Sequence, residues 1–485
     1  MAKLKNILYE IKLIAISGSR ELEITGIAFD SRKVKPGDLF VAIKGLTTDG
    51  HAHLDQAVSL GAVALLVEQV PLNPPQHVAI IQTDDCAKSL GIIAGNFYNH
   101  PSRKLKLIGI TGTNGKTTTV TLLHALFTQL GYQVGMLSTV ENRIGQKIVA
   151  TKYTTPDVVA INQLLAEMIS EGCQYAFMEV SSHALVQERV NGLTFSGGVF
   201  TNISHDHLDY HLSFDEYIKA KKILFDLLGK EAFALVNADD KRGAIMLQNT
   251  KASKYRYSLK GISEFKAKIL NNTFQGLELE INGHHVWFKL IGAFNAYNLL
   301  TAFSIANILG EDEHEVLIQL SQLTGARGRF EYILNDSKVM AIVDYAHTPD
   351  ALDNVLSTID GLRTRNEQLI TVIGCGGNRD KEKRPKMASI AARYSDKVIL
   401  TSDNPRFESP EAILDDMMLG ISASVKKKVM RITDRKEAIR VACNLAKSAD
   451  VILVAGKGHE DYQEIEGSRT HFDDKEVLTE MLNGR

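Results

Sequence analysis

A glycine-rich segment has the composition of a phosphate-binding loop; it comprises Gly112, Thr113, Asn114, Gly115, Lys116, Thr117 and Thr118. Glycines let backbone N–H groups turn toward an anion, and a helix N-terminus adds a favourable dipole. The Lys116 ammonium could reach the terminal phosphates of a nucleotide, and the Thr117 hydroxyl could ligate Mg²⁺. The common spacing G-x-x-x-x-G-K-[ST] is not met because position 110 is isoleucine. A purely structural turn is the alternative, and we expect phosphate binding.

Two polar segments that follow strand-like runs could supply metal ligands. Glu179 ends the apolar run of residues 175–178, and a carboxylate beside a phosphate loop is placed to hold Mg²⁺ directly or through water. The alternative is a strand-end acid paired with a neighbouring base. Residues 205–211 contain three histidines and two aspartates. His207 and His211 could share a helix face in a zinc site with Asp209 nearby, but the lack of H-E-x-x-H and the adjacent phosphate loop favour Mg²⁺.

Lys221 differs from the other lysines of its predicted helix. Its i±3 and i±4 neighbours are all apolar, whereas Lys219 faces charged neighbours, so Lys221 is predicted to point inward. Burial disfavours the ammonium form and should lower the pKa of this lysine. A neutral amine can add CO₂ to form a carbamate, which is an anion able to ligate Mg²⁺. Periodicity alone favours the commoner outcome, in which a lysine extends its charged end to solvent.

The last third of the chain repeats one arrangement, in which an apolar strand ends in a polar loop. The loops comprise residues 344–350, 374–380, 403–406 and 456–460. Polar loops at the carboxyl ends of neighbouring parallel strands form a binding rim. A dinucleotide-binding domain is the rival interpretation, but Gly-Cys-Gly-Gly at 374–377 is not the G-x-G-x-x-G fingerprint.

The middle third has the strand and helix pattern needed to position the phosphate loop. A short apolar strand precedes residue 112, and apolar residues recur at helical spacing up to Leu130. Further buried strands alternate with helical segments, which favours a mostly parallel sheet with crossover helices. Asn295 and Asn298 open another apolar helix, and they could cap it or contact a nucleotide base. Residues 325–329 are interpreted as a hinge into the last domain.

Composition is that of an ordinary globular protein with several domains. A length of 485 residues suggests three domains, and 55 basic against 57 acidic residues give no overall field that attracts nucleic acid or an anionic membrane. No uninterrupted apolar run is long enough to span a bilayer. The cysteines lack C-x-x-C spacing, which fits reduced thiols in the cytoplasm; they are Cys86, Cys173, Cys375 and Cys443. We expect a cytoplasmic protein with no nucleic-acid or membrane partner.

Several motifs, in this order along the chain, resemble the Mur ligase family of cell-wall peptide synthetases over essentially the whole length. They are TGTNGKTT, MEVSSHALVQERV, NISHDHLDYH, GAFNAYN, DYAHTPD, GCGGNRDKEKRP, DNPR and AGKGHE. The resemblance implies three α/β domains, and we expect a monomer. Residues 1–100 would form a small N-terminal domain that binds a uridine-linked substrate. Residues 101–326 would form a central P-loop-type ATPase domain with a mostly parallel sheet, and residues 327–485 a Rossmann-like C-terminal domain that binds an amino acid.

The resemblance also implies a reaction. ATP and Mg²⁺ would activate the D-glutamate γ-carboxylate of UDP-MurNAc-L-Ala-D-Glu by transfer of the γ-phosphoryl group, which gives an acyl phosphate. An incoming amine would attack the acyl carbon, and phosphate would leave from the tetrahedral intermediate. Placement of the charged reactants in one closed cleft would supply most of the catalysis.

Roles for individual residues follow from the matching motifs. ATP would be bound by residues 112–118 together with Asn295, Arg329 and Asp344, which look like the adenine, phosphate and ribose contacts. Thr117 and Glu179 would hold one Mg²⁺, and Glu179, His207 and a carbamate on Lys221 would hold a second; with Lys116 these are the expected catalytic residues. The UDP-MurNAc dipeptide would contact Ser31, Leu46, Thr47, Thr48, Tyr153, Thr154, Thr155, Ser181, Gln187 and Arg189. Tyr153 stands where the family usually has asparagine.

The identity of the added amino acid rests on the last domain, where the matching residues are Arg379, Asp403, Asn404, Pro405, Arg406, Gly456 and Glu460. Arg406 offers a planar fork suited to a second carboxylate, and Glu460 an acceptor for a distal ammonium. This pattern resembles the enzymes that add meso-diaminopimelate, although Asn378 departs from their GGDR motif. The rivals are a lysine-adding enzyme, which should lack Arg406, and a folylpolyglutamate synthetase, which has no use for a uridine-binding domain. A nucleotide-driven switch or transport ATPase would share only the phosphate loop.

Overall fold

The computed structural model describes residues 1–45, 48–151, 153–204, 206, 208–335, 338–364 and 366–483. Three β-sheets with their own helices follow one another along the chain, in an N-terminal, a central and a C-terminal domain. The expected three-domain α/β fold is therefore confirmed, while the proposed boundaries at 100/101 and 326/327 stay a prediction. Within the described residues, no helix is both long and apolar enough to cross a membrane.

The N-terminal domain is a small sheet with helices on its faces. Its strands are in the order β2-β7-β6-β5-β4, and β2 alone runs antiparallel to its neighbour. Its elements are β1 (Ala2–Lys3), α1 (Leu4–Ile7), β2 (Leu13–Ser17), β3 (Glu23–Ile24), β4 (Gly26–Ala28), β5 (Asp38–Val41), α2 (Leu54–Ser59), β6 (Ala64–Val67), β7 (Ala79–Thr83) and α3 (Cys86–Phe97). Helix α3 contacts the central domain so closely that a Cβ on Gly91 would lie 2.3 Å from the Asn191 carbonyl oxygen. Only glycine fits there without a shift of backbone.

The central domain carries the largest sheet. Its elements are β8 (Lys106–Thr111), α4 (Lys116–Gln129), β9 (Val134–Leu137), β10 (Asn142–Ile144), β11 (Lys147–Val149), α5 (Val158–Ser170), β12 (Tyr175–Glu179), α6 (Ser182–Val186), β13 (Gly197–Phe200), α7 (Leu208–His211), α8 (Phe214–Asp226), β14 (Phe233–Asn237), α9 (Gly243–Met246), β15 (Ser253–Ser258), β16 (Phe265–Thr273), β17 (Gly276–Ile281), β18 (His284–Phe288), α10 (Ala293–Ile308) and α11 (Glu313–Gln322).

The strands of the central sheet are in the order β11-β10-β9-β12-β8-β13-β14-β15-β16-β17-β18. Strands β9 to β16 in that order are parallel, and antiparallel hairpins extend both edges. Helices α4 and α10 cover one face through residues such as Leu126 and Phe303, and α5 and α8 cover the other through Leu165 and Leu224. A parallel sheet covered on both faces explains why its strands are continuous apolar runs rather than alternating ones.

The C-terminal domain has a second mostly parallel sheet in the order β19-β20-β24-β21-β22-β23, with β19 antiparallel at one edge. Its elements are β19 (Glu331–Leu334), β20 (Met340–Asp344), α12 (Pro349–Leu362), β21 (Leu369–Ile373), α13 (Lys383–Tyr394), β22 (Lys397–Leu400), α14 (Pro410–Met418), β23 (Val429–Arg431), α15 (Arg435–Leu445), β24 (Val451–Ala455), β25 (Tyr462–Ile465), β26 (Ser468–His471) and α16 (Asp474–Asn483). Strands β20, β21, β22 and β24 end at one edge, so the predicted rim of polar loops exists.

Candidate active site

The glycine-rich loop joins β8 to α4, which is the strand–loop–helix context that phosphate binding requires. Gly112 has φ of +153° and Gly115 has φ of +88°, and Cβ atoms there would lie 1.9 Å from the Thr201 hydroxyl oxygen and 2.6 Å from Asn298 Oδ1. Asn114 is fixed by Asn202, whose Oδ1 accepts from the Asn114 N–H at 3.0 Å. The loop is therefore packed against its neighbours, and a side chain at either glycine would collide with Thr201 or Asn298.

Two lysines share one carbonyl at the base of this loop. The Nζ atoms of Lys116 and Lys221 donate to the Gly112 carbonyl oxygen at 2.9 and 2.8 Å, respectively. The Lys221 Nζ atom also lies 4.4 Å from the centre of the Tyr217 ring. Burial, followed by the neighbouring Lys116, holds the pKa of Lys221 well below its usual range. Burial also lowers the pKa of Lys116, which the Glu179 carboxylate opposes. The prediction that Lys221 points inward is confirmed, and Lys219 pairs with Glu216 at the surface.

Glu179 lies at the end of β12, fully buried beside the loop. Its Oε1 accepts from the Ser138 hydroxyl at 2.7 Å and from the Thr139 N–H at 2.8 Å. Its Oε2 accepts from the hydroxyls of Thr139 and Thr117, each at 3.1 Å. Among the described residues, the hydrogen-bond donors to this carboxylate are neutral, which favours a metal ligand over a strand-end acid paired with a base, and the metal role of Glu179 stays a prediction. Thr117 and Glu179 thus present hard oxygen atoms side by side, as Mg²⁺ requires.

The histidine-rich segment is only partly described. His205 and His207 lie outside the described residues, so the proposed metal ligand His207 stays a prediction. The Nε2 atom of His211 lies 2.9 Å from the Ser182 hydroxyl, which engages this histidine in a protein hydrogen bond. In the part of the chain that the structure describes, no group of three His, Cys, Asp or Glu side chains is arranged to hold a metal.

The residues expected to contact the muramoyl dipeptide in the central domain form one cluster next to Glu179. Arg189 donates to the Thr155 carbonyl at 2.9 Å and to Gln187 Oε1 at 2.6 Å. The Thr155 hydroxyl donates to the Glu179 carbonyl at 2.8 Å and accepts from the Ser181 N–H at 3.1 Å. The end of β12, the residues just before and just after α6, and Thr155 before α5 are therefore placed together.

Two further members of this set lie beside the cluster. The Thr154 hydroxyl accepts at 3.0 Å from the hydroxyl of Thr139, which is itself a donor to Glu179. Tyr153, which departs from the family pattern, is 61% exposed, and the Arg189 guanidinium lies 5.4 Å from the centre of its ring. An aromatic ring at this position is thus available at the surface beside the cluster.

The residues expected to bind the uridine end of the substrate lie in the N-terminal domain, apart from the cluster in the central domain. Ser31 is buried, and its hydroxyl donates to Gln56 Oε1 at 2.7 Å within the N-terminal domain. Thr48 lies in the same domain, and Leu46 and Thr47 fall outside the described residues. Within the described residues, no hydrogen bond joins Ser31 to the central cluster, so its role stays a prediction.

A cavity of about 320 Å³ lies between the central and C-terminal domains, and Asn295 and Arg329 line it. The Asn295 amide donates to the Ile291 carbonyl at 2.8 Å and accepts from Asn298 at 2.9 Å. Gly292 is the N-cap of α10, so the interpretation of either asparagine as a cap is wrong. The surviving alternative is a nucleotide-base contact. Both oxygens of Asp344, the expected ribose contact, accept from backbone N–H groups in a buried position.

The C-terminal domain contacts the phosphate loop directly. Arg329 donates to the Thr117 hydroxyl at 3.4 Å, and its Nε atom is buried with no hydrogen-bond partner among the described residues. Asp350, near the start of α12, accepts from the Asn114 amide at 3.1 Å and from the Ser204 hydroxyl at 2.7 Å. The rim of the C-terminal sheet therefore faces the loop, and a guanidinium donor is available between them.

The expected amino-acid site occupies another part of this rim. The Asn404 amide donates to Glu460 Oε2 at 2.7 Å, and the Arg406 guanidinium donates to the Gly377 carbonyl at 2.8 Å. A Cβ on Gly456 would lie 3.6 Å from Asp403 Oδ2, so Gly456 belongs to the same group. Arg379 is exposed, and a Cβ on Gly376 would lie 3.8 Å from its Cγ and 3.0 Å from the Arg406 guanidinium. The pocket thus offers both cations and anions, as recognition of a diamino acid requires.

Several functional neighbours were not found from the sequence. Lys457 is fully buried, with its Nζ 3.6 Å from Asp403 and 3.5 Å from Glu460. Burial and the neighbouring Asp403 raise the pKa of Glu460, and Lys457 opposes this shift. Ser138 and Thr139, which hold Glu179, were also missed. The sequence marked Ser138, Thr139 and Lys457 only by their position just after a buried strand, at the edge of the sheet where ligands bind.

Comparisons with known proteins agree with the division of the chain into three domains. Family models match residues 23–98 (Mur ligase family, catalytic domain), 110–306 (Mur ligase middle domain) and 328–458 (Mur ligase, glutamate ligase domain). A relative from Cytophaga hutchinsonii, named UDP-N-acetylmuramoyl-L-alanyl-D-glutamate--2,6-diaminopimelate ligase, is 55% identical over 99% of both chains. A protein of the same name from Bacteroides fragilis is 52% identical over 99% of both. A solved structure of that ligase matches with a TM-score of 0.70, 32% identity, and coverage of 100% and 99%.

Proposed function

The chain belongs to the Mur ligase family, and from this premise we propose that it uses ATP to join meso-diaminopimelate to the D-glutamate γ-carboxylate of UDP-MurNAc-L-Ala-D-Glu. The observation that carries the proposal is the contact of Arg329 and Asp350 with the phosphate loop. It turns the rim that holds Arg406 and Glu460 toward the loop, so one cleft can receive both ATP and an amino acid. One chain supplies all of these groups, and we propose that it acts as a monomer.

The first step forms an acyl phosphate. An oxygen of the substrate γ-carboxylate attacks the γ-phosphorus of ATP, the bond to the β,γ-bridging oxygen breaks, and ADP leaves. Lys116 and the N–H groups of residues 112–118 bind the phosphates, and Arg329 donates to the transferring group from the opposite wall. Because little covalent chemistry falls to the protein in phosphoryl transfer, these donors act by position and charge.

The side chains present fit Mg²⁺. Thr117 and Glu179 would hold one ion, since their oxygen atoms lie 3.1 Å apart beside the loop and the described donors to the carboxylate are neutral. Glu179, His207 and a carbamate on Lys221 would hold a second. When bound, Mg²⁺ offsets the negative charge that collects around the transferring phosphoryl group. We propose no zinc at this site, because oxygen donors dominate.

The carbamate on Lys221 is supported by geometry. Lys116 and Lys221 place two amines on one buried carbonyl oxygen, and two ammonium groups at that spacing would repel each other in a region of low dielectric constant. Addition of CO₂ to the Lys221 nitrogen, with loss of a proton, replaces this repulsion with attraction to Lys116. The same modification would place an anion at the base of the phosphate loop, beside the Gly112 carbonyl.

The second step forms the amide. The amine of diaminopimelate attacks the acyl carbon, loses a proton, and displaces phosphate from the tetrahedral intermediate. We propose that Arg406, with Arg379, receives the distal carboxylate, while Asp403, Asn404, Pro405, Gly456 and Glu460 complete the site. L-lysine lacks that carboxylate and would leave a site cation unpaired, at a cost of roughly 2 to 5 kcal/mol.

The uridine-linked substrate would extend from the N-terminal domain to the cleft. We propose that Ser31, Leu46, Thr47 and Thr48 bind its uridine end. The central cluster that includes Thr154, Thr155, Ser181, Gln187 and Arg189 would bind the muramoyl dipeptide, with Tyr153 at its edge. Because this cluster lies against Glu179, a dipeptide bound there would have its γ-carboxylate next to the phosphate loop. Asn295 and Asp344 would hold adenine and ribose on the other side.

A phosphate-release assay tests the proposal. With ATP, Mg²⁺ and UDP-MurNAc-L-Ala-D-Glu, we expect release to depend on an amino acid, and meso-diaminopimelate to exceed L-lysine by about 30-fold or more in kcat/KM, the equivalent of roughly 2 kcal/mol. A preference for lysine would identify the lysine-adding activity. Steady release without any amino acid would identify a nucleotide-driven switch or transport ATPase and contradict the proposal.

A further inference from the structure

Two loops of the amino-acid site are fastened to each other. We call residues 374–380 the glycine loop and residues 403–408 the arginine loop. The Gly377 N–H donates to the Asn404 carbonyl at 2.9 Å, and the Phe407 N–H donates to Asn378 Oδ1 at 3.1 Å. The acceptor role of Asn378 is one that an aspartate could also fill, so its departure from the GGDR motif leaves this contact possible. The Asn378 N–H donates in turn to Glu408.

A buried arginine lies behind both loops. Arg384, in the first turn of α13, is 0% exposed and donates to both Glu408 oxygens at 3.0 Å. It also donates to the Gly376 carbonyl at 3.3 Å and to Asp416 at 2.8 Å. One guanidinium therefore binds the glycine loop through a carbonyl and the arginine loop through a carboxylate. The hydrogen bond from Arg384 lowers the pKa of Glu408 to about 2, so this carboxylate is ionised at neutral pH.

The backbone at Arg406 shows why such support is needed. Arg406 and Asn378 both have φ of +52°, in the left-handed region that residues with a Cβ rarely adopt. A conformation of this kind persists only when its surroundings determine it. On the far side of Arg406, its N–H donates to the Glu464 carbonyl at 3.0 Å and its carbonyl accepts from the Glu466 N–H at 2.7 Å. On the near side, Glu408 is the charged group that joins its loop to α13.

We propose that the Arg384–Glu408 ion pair is a positioning device for Arg406, and that it determines the preference for a diamino diacid without contacting the substrate. The inference rests on the function proposed above. Glu408 holds the end of the arginine loop, and the glycine loop holds the Arg406 guanidinium through Gly377. Loss of the carboxylate charge would release the arginine loop from α13 and weaken its contact with the Asn378 N–H of the glycine loop. The Arg406 guanidinium would then sample several positions, and the distal carboxylate of the substrate would bind it less tightly.

The test is Glu408→Gln, which keeps the size of the side chain but has one acceptor oxygen for the donors of Arg384 and Asn378. We expect the KM for meso-diaminopimelate to rise about tenfold, while kcat at saturation and the KM for ATP stay within about twofold. The matched control is Glu411→Gln, since Glu411 also pairs with an arginine, Arg431, but at the surface of α14, where its side chain bonds Arg431 and Thr433 and neither of the two loops. The control should leave all three constants unchanged.

A double-mutant cycle separates positioning from general loosening of the fold. Because Glu408 acts through Arg406, Glu408→Gln should lower the ratio of kcat/KM for diaminopimelate over lysine about tenfold in the native chain and leave it unchanged in an Arg406→Ala background. An equal drop in both backgrounds, or no rise in KM, would overturn the inference. Failure of the unmodified protein to prefer diaminopimelate would instead contradict the proposed function. Circular dichroism melting verifies that each variant is folded.

Discussion

Replacement of Lys221 by alanine is expected to lower the rate of ligation by about 10²- to 10³-fold or more. The variant loses the buried nitrogen that would carry the carbamate, and with it an anionic ligand beside Glu179. The side chain is 1% exposed, so its effect cannot come from surface charge. Formation of product from UDP-MurNAc dipeptide, ATP and meso-diaminopimelate is the measurement, followed at saturating substrate.

The control for this variant is Lys219→Ala. Lys219 lies two positions earlier on α8 and pairs with Glu216 in solvent, so its loss should leave the rate within about twofold. Bicarbonate together with a small carboxylate, such as formate, should partly restore Lys221→Ala, because the carboxylate can occupy the space of the carbamate. Native activity in Lys221→Ala, without any addition, would rule out the carbamate.

Replacement of Arg406 by alanine is expected to reduce the preference for meso-diaminopimelate over L-lysine by about 30-fold, which corresponds to roughly 2 kcal/mol. One donor of its guanidinium goes to the Gly377 carbonyl at 2.8 Å, and its positive charge opposes the rise in the pKa of Glu460, so the two groups act on each other electrostatically. The loss should fall on the KM for diaminopimelate. Competition between the two amino acids in a single reaction, with both products quantified, gives the ratio directly.

Arg440→Ala is the matched control for the specificity of Arg406. Arg440 is an exposed arginine of α15 in the same domain, paired with Glu437, and its removal should not alter the ratio. A preference that survives in Arg406→Ala would show that another group, such as Arg379, reads the distal carboxylate. The control also accounts for the loss of one positive charge from the domain.

Local pattern was sufficient for the elements that position the catalytic groups. The apolar runs before residues 112 and 179 are buried parallel strands, and such strands read as continuous apolar segments in any sequence. The burial of Lys221 followed from helical periodicity, because its neighbours at one turn are fixed by geometry alone. The rim of the C-terminal domain followed from the rule that polar loops gather at the carboxyl ends of parallel strands.

Long-range partners could not be predicted in this way. Ser138 donates to Glu179 across two neighbouring strands, and Asp350 accepts from Asn114 across two domains. Which strand neighbours which depends on the order of the whole sheet, and no local spacing records it. For Asn295 and Asn298 the sequence left a helix cap and a nucleotide-base contact as equal alternatives, and the structure removes the first because Gly292 is the N-cap of α10. Arg384 was missed for the same reason as Asp350, since its partners lie in distant loops.

The central claim is that ATP activates the substrate carboxylate in the cleft between the central and C-terminal domains. It is tested most directly by UDP-MurNAc-L-Ala-D-Glu labelled with ¹⁸O in its γ-carboxylate. If an acyl phosphate forms, the amine breaks the bond between the acyl carbon and the phosphorylated oxygen, so released phosphate carries ¹⁸O and the amide keeps the other label. Labelled phosphate, dependent on meso-diaminopimelate, is the result we predict. Phosphate that carries no label, with its new oxygen taken from water, would contradict the account.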